Sequence, residues 1–236
     1  MNILEIKNIS SGYGKKQVLY DVLLDITQGE TILLIGSNGS GKSTLLKTIY
    51  GLVTPINGEV FFYGENITNK NSSDLIKKGL VFIPQKNNCF DNLTVCENLE
   101  VSGLTLSNDI KVFKEQFEKI LEYFPKLKKL LSQIPMKLSG GERQLLALAM
   151  GAINQPKMML LDEPFAGLSH HGIEDIKHQI EVLRKEQNTT FLIVEHRLRE
   201  AMLLADKMFG LKLGKISEIF KLNNTFHDEA IHQILI

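Results

Sequence analysis

The 236-residue chain is long enough to bury one sizeable core, and its 43% hydrophobic and 23% charged residues are ordinary for a globular protein. Its 27 basic and 27 acidic side chains cancel, which disfavours a polyanion-binding surface as a whole, so no nucleic-acid partner is expected. The opening Met1–Lys7 carries an acidic residue and no signal-peptide core, and the apolar run Met158–Leu161 is walled by Lys157 and Asp162. No direct membrane insertion is expected. Cys89 and Cys96 have neither C-x-x-C nor zinc spacing and read as two reduced structural thiols.

In chain order, Ile3–Lys7, Val18–Ile26 and Thr31–Ile35 are β-rich, and the last is a short apolar run that reads as a buried strand. A glycine-rich loop follows it directly. Lys42–Tyr50 then carries Leu45, Leu46 and Ile49 at helical spacing and stops at Gly51. Glu59–Tyr63 and Leu80–Ile83 read as strands, and the polar stretch Asn66–Ser73 between them reads as a surface loop. Asp109–Phe124 sets Phe113, Phe117, Ile120, Leu121 and Phe124 on one helical stripe closed by Pro125, so roughly 87–133 is expected to be a helical insertion.

Alternation resumes with Met158–Leu161, Ile173–Gln187, Thr190–Val194 and Arg197–Ala205, and Lys207–Leu213 and Ile216–Phe220 look like late strands at the sheet edge. This βα alternation predicts an α/β fold with a mostly parallel sheet covered by helices. The tail Lys221–Ile236, with Ile231, Ile234 and Leu235 on one helical face, is expected to pack on the domain or join a partner.

Gly36-Ser37-Asn38-Gly39-Ser40-Gly41-Lys42-Ser43 fits the G-x-x-x-x-G-K-[ST] pattern, and its strand-before, helix-after context makes it a phosphate-binding loop. The glycines let successive backbone N–H groups turn inward around phosphates. Lys42 supplies a point charge for the β- and γ-phosphates, Ser43 offers a hydroxyl to Mg²⁺, and Thr44 begins a helix whose dipole favours the same anion. ATP and Mg²⁺ are the expected cofactors.

Asp162 and Glu163 close an apolar strand ahead of Pro164, where one carboxylate can hold Mg²⁺ and the next can act as general base on water. Ser139-x-x-Glu142 is a capping box leading into Leu145–Ile153. Gly140 and Gly141 are not needed by the box, and they expose N–H groups at a helix N-terminus as a second anion site.

Leu138-Ser139-Gly140-Gly141-Glu142-Arg143-Gln144, just before Met158-Met159-Leu160-Leu161-Asp162-Glu163-Pro164, resembles one family, the ATP-binding-cassette (ABC) ATPases. The resemblance runs from Ile3 to about Phe220 and rests on six motifs in the family's order. It implies a P-loop NTPase core with a mostly parallel sheet, N-terminal antiparallel β strands and an inserted α-helical subdomain. As a single domain over 1–236, this would divide into a RecA-like core at about 1–86 and 134–220, the insertion at about 87–133 and the tail 221–236.

The resemblance also implies roles. Asp162 would hold magnesium, Glu163 would be the catalytic base, and Gln85 would reach Mg²⁺ and the attacking water from the glutamine loop. His196 would contact the γ-phosphate, and Tyr13, in Ser11-Gly12-Tyr13-Gly14, would stack on adenine. Alone, a loop glutamine, a strand-end histidine or a tyrosine means little. Ser139, Gly140 and Gly141 would serve the ATP held by a second protomer, so a twofold head-to-tail sandwich of two identical or closely similar chains is implied. Membrane-spanning permease subunits would be the further partners, and the chain would sit in the cytoplasm, peripheral on the inner face of the cell membrane.

Ala166-Gly167-Leu168-Ser169 departs from the family's pattern by placing Ser169 where aspartate is usual, which bears on coupling between the two sites. Its Gly-Leu pair resembles the branch that takes up branched-chain amino acids and related solutes. The implied function is the ATP-hydrolysing subunit of an ABC transporter, driven by dimer closure. The rivals are a soluble ABC ATPase, such as the iron–sulfur assembly type, and a slow nucleotide-gated regulatory module. His170, His171 and His178 lack ligand spacing, and Lys126, Lys128 and Lys129 read as a solvated face.

Overall fold

A long antiparallel hairpin begins the chain: β1 (Asn2–Tyr13) pairs with β2 (Lys16–Thr27) around a tight turn at Gly14 and Lys15. Along β2, Leu19, Val22, Leu24 and Ile26 are buried while Tyr20, Leu23 and Asp25 face solvent, the alternation of a half-covered sheet. A register shift at Asn8, whose φ is 53°, bends β1 between Ile6 and Ile9. Both strands exceed the β-rich runs legible in the sequence, because polar residues lie on their open face. The computed structural model describes residues 1–86, 88–104 and 110–221, with side chains described to Ile216. The expected tail helix lies outside the described residues.

The chain divides into two contact units, 1–75 with 190–236, and 76–189. In the first, β4 (Pro55–Phe62) pairs antiparallel with β1, and β5 (Glu65–Asn66) with β4. The same unit holds β3 (Thr31–Ile35), which pairs in parallel with β8 (Thr190–Val194) and β9 (Lys207–Lys212); β10 (Lys215–Lys221) runs antiparallel to β9. All five residues of β3 and of β8 are buried, as continuous apolar runs in covered parallel sheet should be. Each fully buried leucine or isoleucine there stabilises the fold by roughly 1.5–3 kcal/mol. Of the two late strands expected at the edge, only β10 is there; β9 lies between β10 and β3.

Helix α1 (Lys42–Ile49) follows β3, and Gly51, at φ 71°, ends it. The expected loop Asn66–Ser73 gives way to a short helix, α2 (Ser72–Lys78). Asn71 starts it by accepting the N–H of Asp74 on its side-chain oxygen at 2.9 Å. A helix with one buried residue, Leu75, shows no apolar period in sequence.

In the second unit β6 (Leu80–Ile83) pairs in parallel with β7 (Met158–Asp162). Between them come α3 (Val95–Gly103), α4 (Ile110–Tyr123), two 3₁₀ turns at Pro125–Lys129 and Pro135–Lys137, and α5 (Gly140–Ala152). Of the Asp109–Phe124 stripe, Ile120, Leu121 and Phe124 are buried. Gly151 lets α5 approach the sheet, since a Cβ there would lie 2.7 Å from Met159 Cε. The long helix α6 (His170–Gln187) follows β7 and ends on Asn188 in the left-handed conformation. The short α7 (Leu198–Met202) belongs to the first unit.

Candidate functional site: a phosphate loop and a catalytic carboxylate

The phosphate loop belongs to the first unit. Between β3 and α1, Ser37, Asn38 and Gly39 are exposed, while Gly36, Ser40, Gly41 and Lys42 are buried. Gly39 and Gly41 take φ of 80° and 110°, which side chains with a Cβ rarely adopt. A Cβ on Gly41 would lie 2.7 Å from Leu19 Cδ2, and one on Gly36 would lie 2.2 Å from the Leu211 carbonyl oxygen. A Cβ on Gly39 would meet nothing within 4 Å.

Lys42 curls back over this loop and donates from Nζ to the carbonyl oxygens of Gly36 at 2.8 Å and Ser37 at 3.0 Å. Ser40 Oγ is buried with no hydrogen-bond partner among the described residues. Helix α1 begins at Lys42, where the expected helical run Lys42–Tyr50 begins, on a Gly41 N-cap that supplies no capping side chain. Its first turn contains no acidic residue. An orphaned buried hydroxyl, a lysine and an uncapped helix start suit a bound phosphate chain. Beside the loop, the hydroxyl of Ser43 is an oxygen donor of the kind a hard cation such as Mg²⁺ takes.

Two further expected residues lie in this unit. Tyr13 is the last residue of β1 and is 50% exposed. His196 is exposed just after β8. Beside it Glu195, 2% exposed, accepts the backbone N–H groups of His196 at 2.8 Å and Arg197 at 3.1 Å. This buried carboxylate fixes the turn that presents His196. Nothing in the sequence marks it, since its donors are backbone N–H groups that carry no residue identity.

The second unit brings Gln85, Asp162 and Glu163 to the ends of paired parallel strands. Asp162, the last residue of β7, is buried, and Glu163 follows it. Gln85 leaves β6 two residues beyond Ile83 and donates its side-chain N–H to Glu163 Oε2 at 2.5 Å. Glu163 has φ 51°, an uncommon backbone state for a glutamate.

The signature segment lies in the same unit. Ser139 Oγ accepts the N–H of Glu142 at 3.3 Å, and Glu142 Oε2 accepts the N–H of Ser139 at 2.8 Å, completing the capping box read in the sequence. Ser139 and Gly140 are exposed at the N-terminus of this 13-residue helix. Gly141 packs on Gly172 of α6, where a Cβ would lie 3.5 Å from the Gly172 Cα. Ser169 is the N-cap of α6, its Oγ accepting the Gly172 N–H at 3.3 Å. Serine therefore performs the capping that an aspartate there would perform.

His170 and His171 are the first residues of α6. Lys126, read as part of a solvated face, donates to Asp175 Oδ2 at 2.5 Å and lies 3.2 Å from His171 Nε2.

Comparison with known proteins decides what this set of parts belongs to. The family model described as ABC transporter matches residues 19–166. The chain belongs to the ABC transporter family. It is 39% identical over 214 residues to the high-affinity branched-chain amino acid transport ATP-binding protein BraG of Pseudomonas aeruginosa, covering 91% of each chain. To the probable branched-chain amino acid transport ATP-binding protein LivF of Archaeoglobus fulgidus it is 37% identical over 215 residues, covering 91% of this chain and 90% of that one. A dimeric post-hydrolysis ATP-binding cassette bound to ADP and Pi superposes with a TM-score of 0.80 at 27% identity, over 94% of this chain and all of that one. As an ABC ATPase, the chain binds and hydrolyses ATP.

Proposed function

We propose that this chain is the ATPase subunit of an ABC importer for branched-chain amino acids or chemically related solutes, acting as a twofold dimer beneath membrane-spanning permease subunits. The observation that carries the reading is the exposed Ser139–Gly140 pair at the start of α5. Ser139 and Gly140 open a second anion site on a chain whose phosphate loop already holds one. Two half-sites of this kind close on two nucleotides only when two copies meet head to tail. The branched-chain amino acid relatives support the choice of cargo class. No helix among the described residues is long and apolar enough to cross a membrane, so membrane attachment is assigned to the permease, at the cytoplasmic face.

Lys42 and the loop N–H groups from Gly36 to Thr44 hold the β- and γ-phosphates, and Tyr13 stacks on the adenine. Ser43, Gln85 and Asp162 would hold Mg²⁺, which neutralises charge on the phosphates when bound. Glu163 accepts the proton of the attacking water, Gln85 orients that carboxylate, and His196 contacts the γ-phosphate. Ser139, Gly140 and Gly141 receive the γ-phosphate of the partner's ATP. The soluble and regulatory alternatives gain no support from the relatives.

The test is steady-state turnover of the purified chain beside Lys42→Ala, followed by uptake of leucine, isoleucine and valine in cells lacking the chain. Turnover abolished by Lys42→Ala, and uptake restored only by an active chain, is the expected pair of results. Turnover without any effect on uptake contradicts the transport assignment.

A further inference from the structure

We propose that the groove between the β1–β2 hairpin and the start of β9 is the docking site of the chain's own C-terminal segment, 222–236, with Ile231, Ile234 and Leu235 as the seated side chains.

The groove encloses about 700 Å³ and lies wholly within the first unit. A volume of that order takes a drug-sized molecule or a short stretch of polypeptide. Its apolar lining comes from Ile6 of β1, Leu23 and Leu24 of β2, and Phe209 of β9. Leu23 is 58% exposed, so an occupant that covers it removes apolar surface from water.

The charges around the groove select against an ionic ligand. Glu5 and Asp25 are balanced by Lys7 and Lys207, and both bases are already engaged. Lys7 Nζ lies 3.2 Å from Glu5 Oε2 and 4.4 Å from the centre of the Phe61 ring, and Lys207 Nζ lies 2.6 Å from Glu30 Oε1. A phosphate or carboxylate would have to compete with one of these pairs, whereas an aliphatic side chain disturbs none. The lining therefore favours an apolar occupant.

Chain connectivity names that occupant. β10 runs antiparallel to β9, and its last residue, Lys221, pairs with Lys207 in the groove wall. Paired residues of antiparallel strands lie about 4.5–5.5 Å apart at Cα, so the chain leaves the sheet one strand-width from the groove. The opposite end of β10 is fixed already. There the Gly214 N–H donates to the Ser40 carbonyl oxygen at 3.0 Å, and the Gly214 carbonyl oxygen accepts the Tyr20 N–H at 2.9 Å. Beyond Lys221 the sequence sets Ile231, Ile234 and Leu235 on one helical face. A tether of about ten residues holds that face at an effective concentration on the order of millimolar, so even a weak apolar contact is populated.

The test is a thermal double-mutant cycle on the full chain: wild type, Leu23→Asp, Ile234→Asp with Leu235→Asp, and all three substitutions together. Either arm alone is expected to lower the melting temperature by about 2–4 °C, and the combination to lower it no further than the larger arm. Additive losses, or an arm without effect, overturn the proposal. Leu23→Cys with Ile234→Cys, in a Cys89→Ser, Cys96→Ser background, reads the contact directly. Mild oxidation is expected to form a disulfide within one chain. A disulfide only between two chains assigns the groove to a second copy and overturns the proposal, as does the absence of any disulfide. If the background fails to fold, the thermal cycle decides alone. Neither readout depends on ATP turnover, so the outcome is separate from the functional reading above.

Discussion

Gln85 donates its side-chain N–H to Glu163 Oε2 at 2.5 Å, although 78 residues of sequence separate them. Parallel pairing of β6 and β7 creates the contact, because Ile83 lies in register with Leu161 and both chains leave the sheet at the same end. Glu163 is turned towards it by a left-handed backbone. Removing the base is expected to cost more than removing the group that orients it. Glu163→Gln should lower kcat by about 10²–10⁴-fold, and Gln85→Ala by less, with ATP affinity kept in both. Single-turnover hydrolysis beside nucleotide binding measures the two effects separately.

Two of the three loop glycines, Gly36 and Gly39, differ in what a side chain would meet. Gly36→Ala puts a Cβ 2.2 Å from a backbone oxygen and 2.7 Å from Ser40 Oγ, so the loop must shift, at a cost of about 1–3 kcal/mol. Gly39→Ala meets nothing and pays only for its φ of 80°, about 1 kcal/mol. Thermal unfolding without nucleotide should rank Gly36→Ala below Gly39→Ala, and both below wild type.

Ser169 bears on α6 through its cap. Ser169→Ala is expected to lose about 1 kcal/mol, which for a chain of this length lowers the melting temperature by about 2–4 °C. Ser169→Asp should retain stability, because aspartate accepts the same Gly172 N–H. If Ser169→Asp also leaves the Hill coefficient unchanged, the serine is equivalent to the family's usual aspartate in coupling.

The buried thiol sets an alkaline limit. Cys89 is raised from near 9 to about 11 in the folded chain, so the folded state holds its proton more tightly than the unfolded one. Its contribution is fully present below about pH 9 and is lost as pH rises from 9 through 11. Denaturant unfolding from pH 8 to 11 should show this decline, and Cys89→Ala should flatten that part of it.

Contiguous patterns made most of this protein legible before its structure. The Gly36–Ser43 loop, the Ser139/Glu142 capping box and the apolar strand ahead of Asp162 each announce their geometry within about ten residues. What stayed hidden depends on pairing across the chain. No local signal marks Asn88 for Gln144, 56 residues away, or Glu195 for backbone N–H groups. Helix α2 stayed hidden for another reason: one buried leucine cannot make a period. Nor does any local pattern mark the buried Asn98 for its four side-chain hydrogen bonds.

The central claim is that the signature half-site completes the nucleotide site of a second copy. Light scattering of Glu163→Gln with ATP and Mg²⁺ tests it most directly, because the slowed base lets the closed state persist. The account predicts a species of twice the chain's mass that requires ATP and disappears in a Glu163→Gln, Ser139→Arg double variant. A chain that stays monomeric at saturating ATP, or dimerises equally without nucleotide, contradicts it.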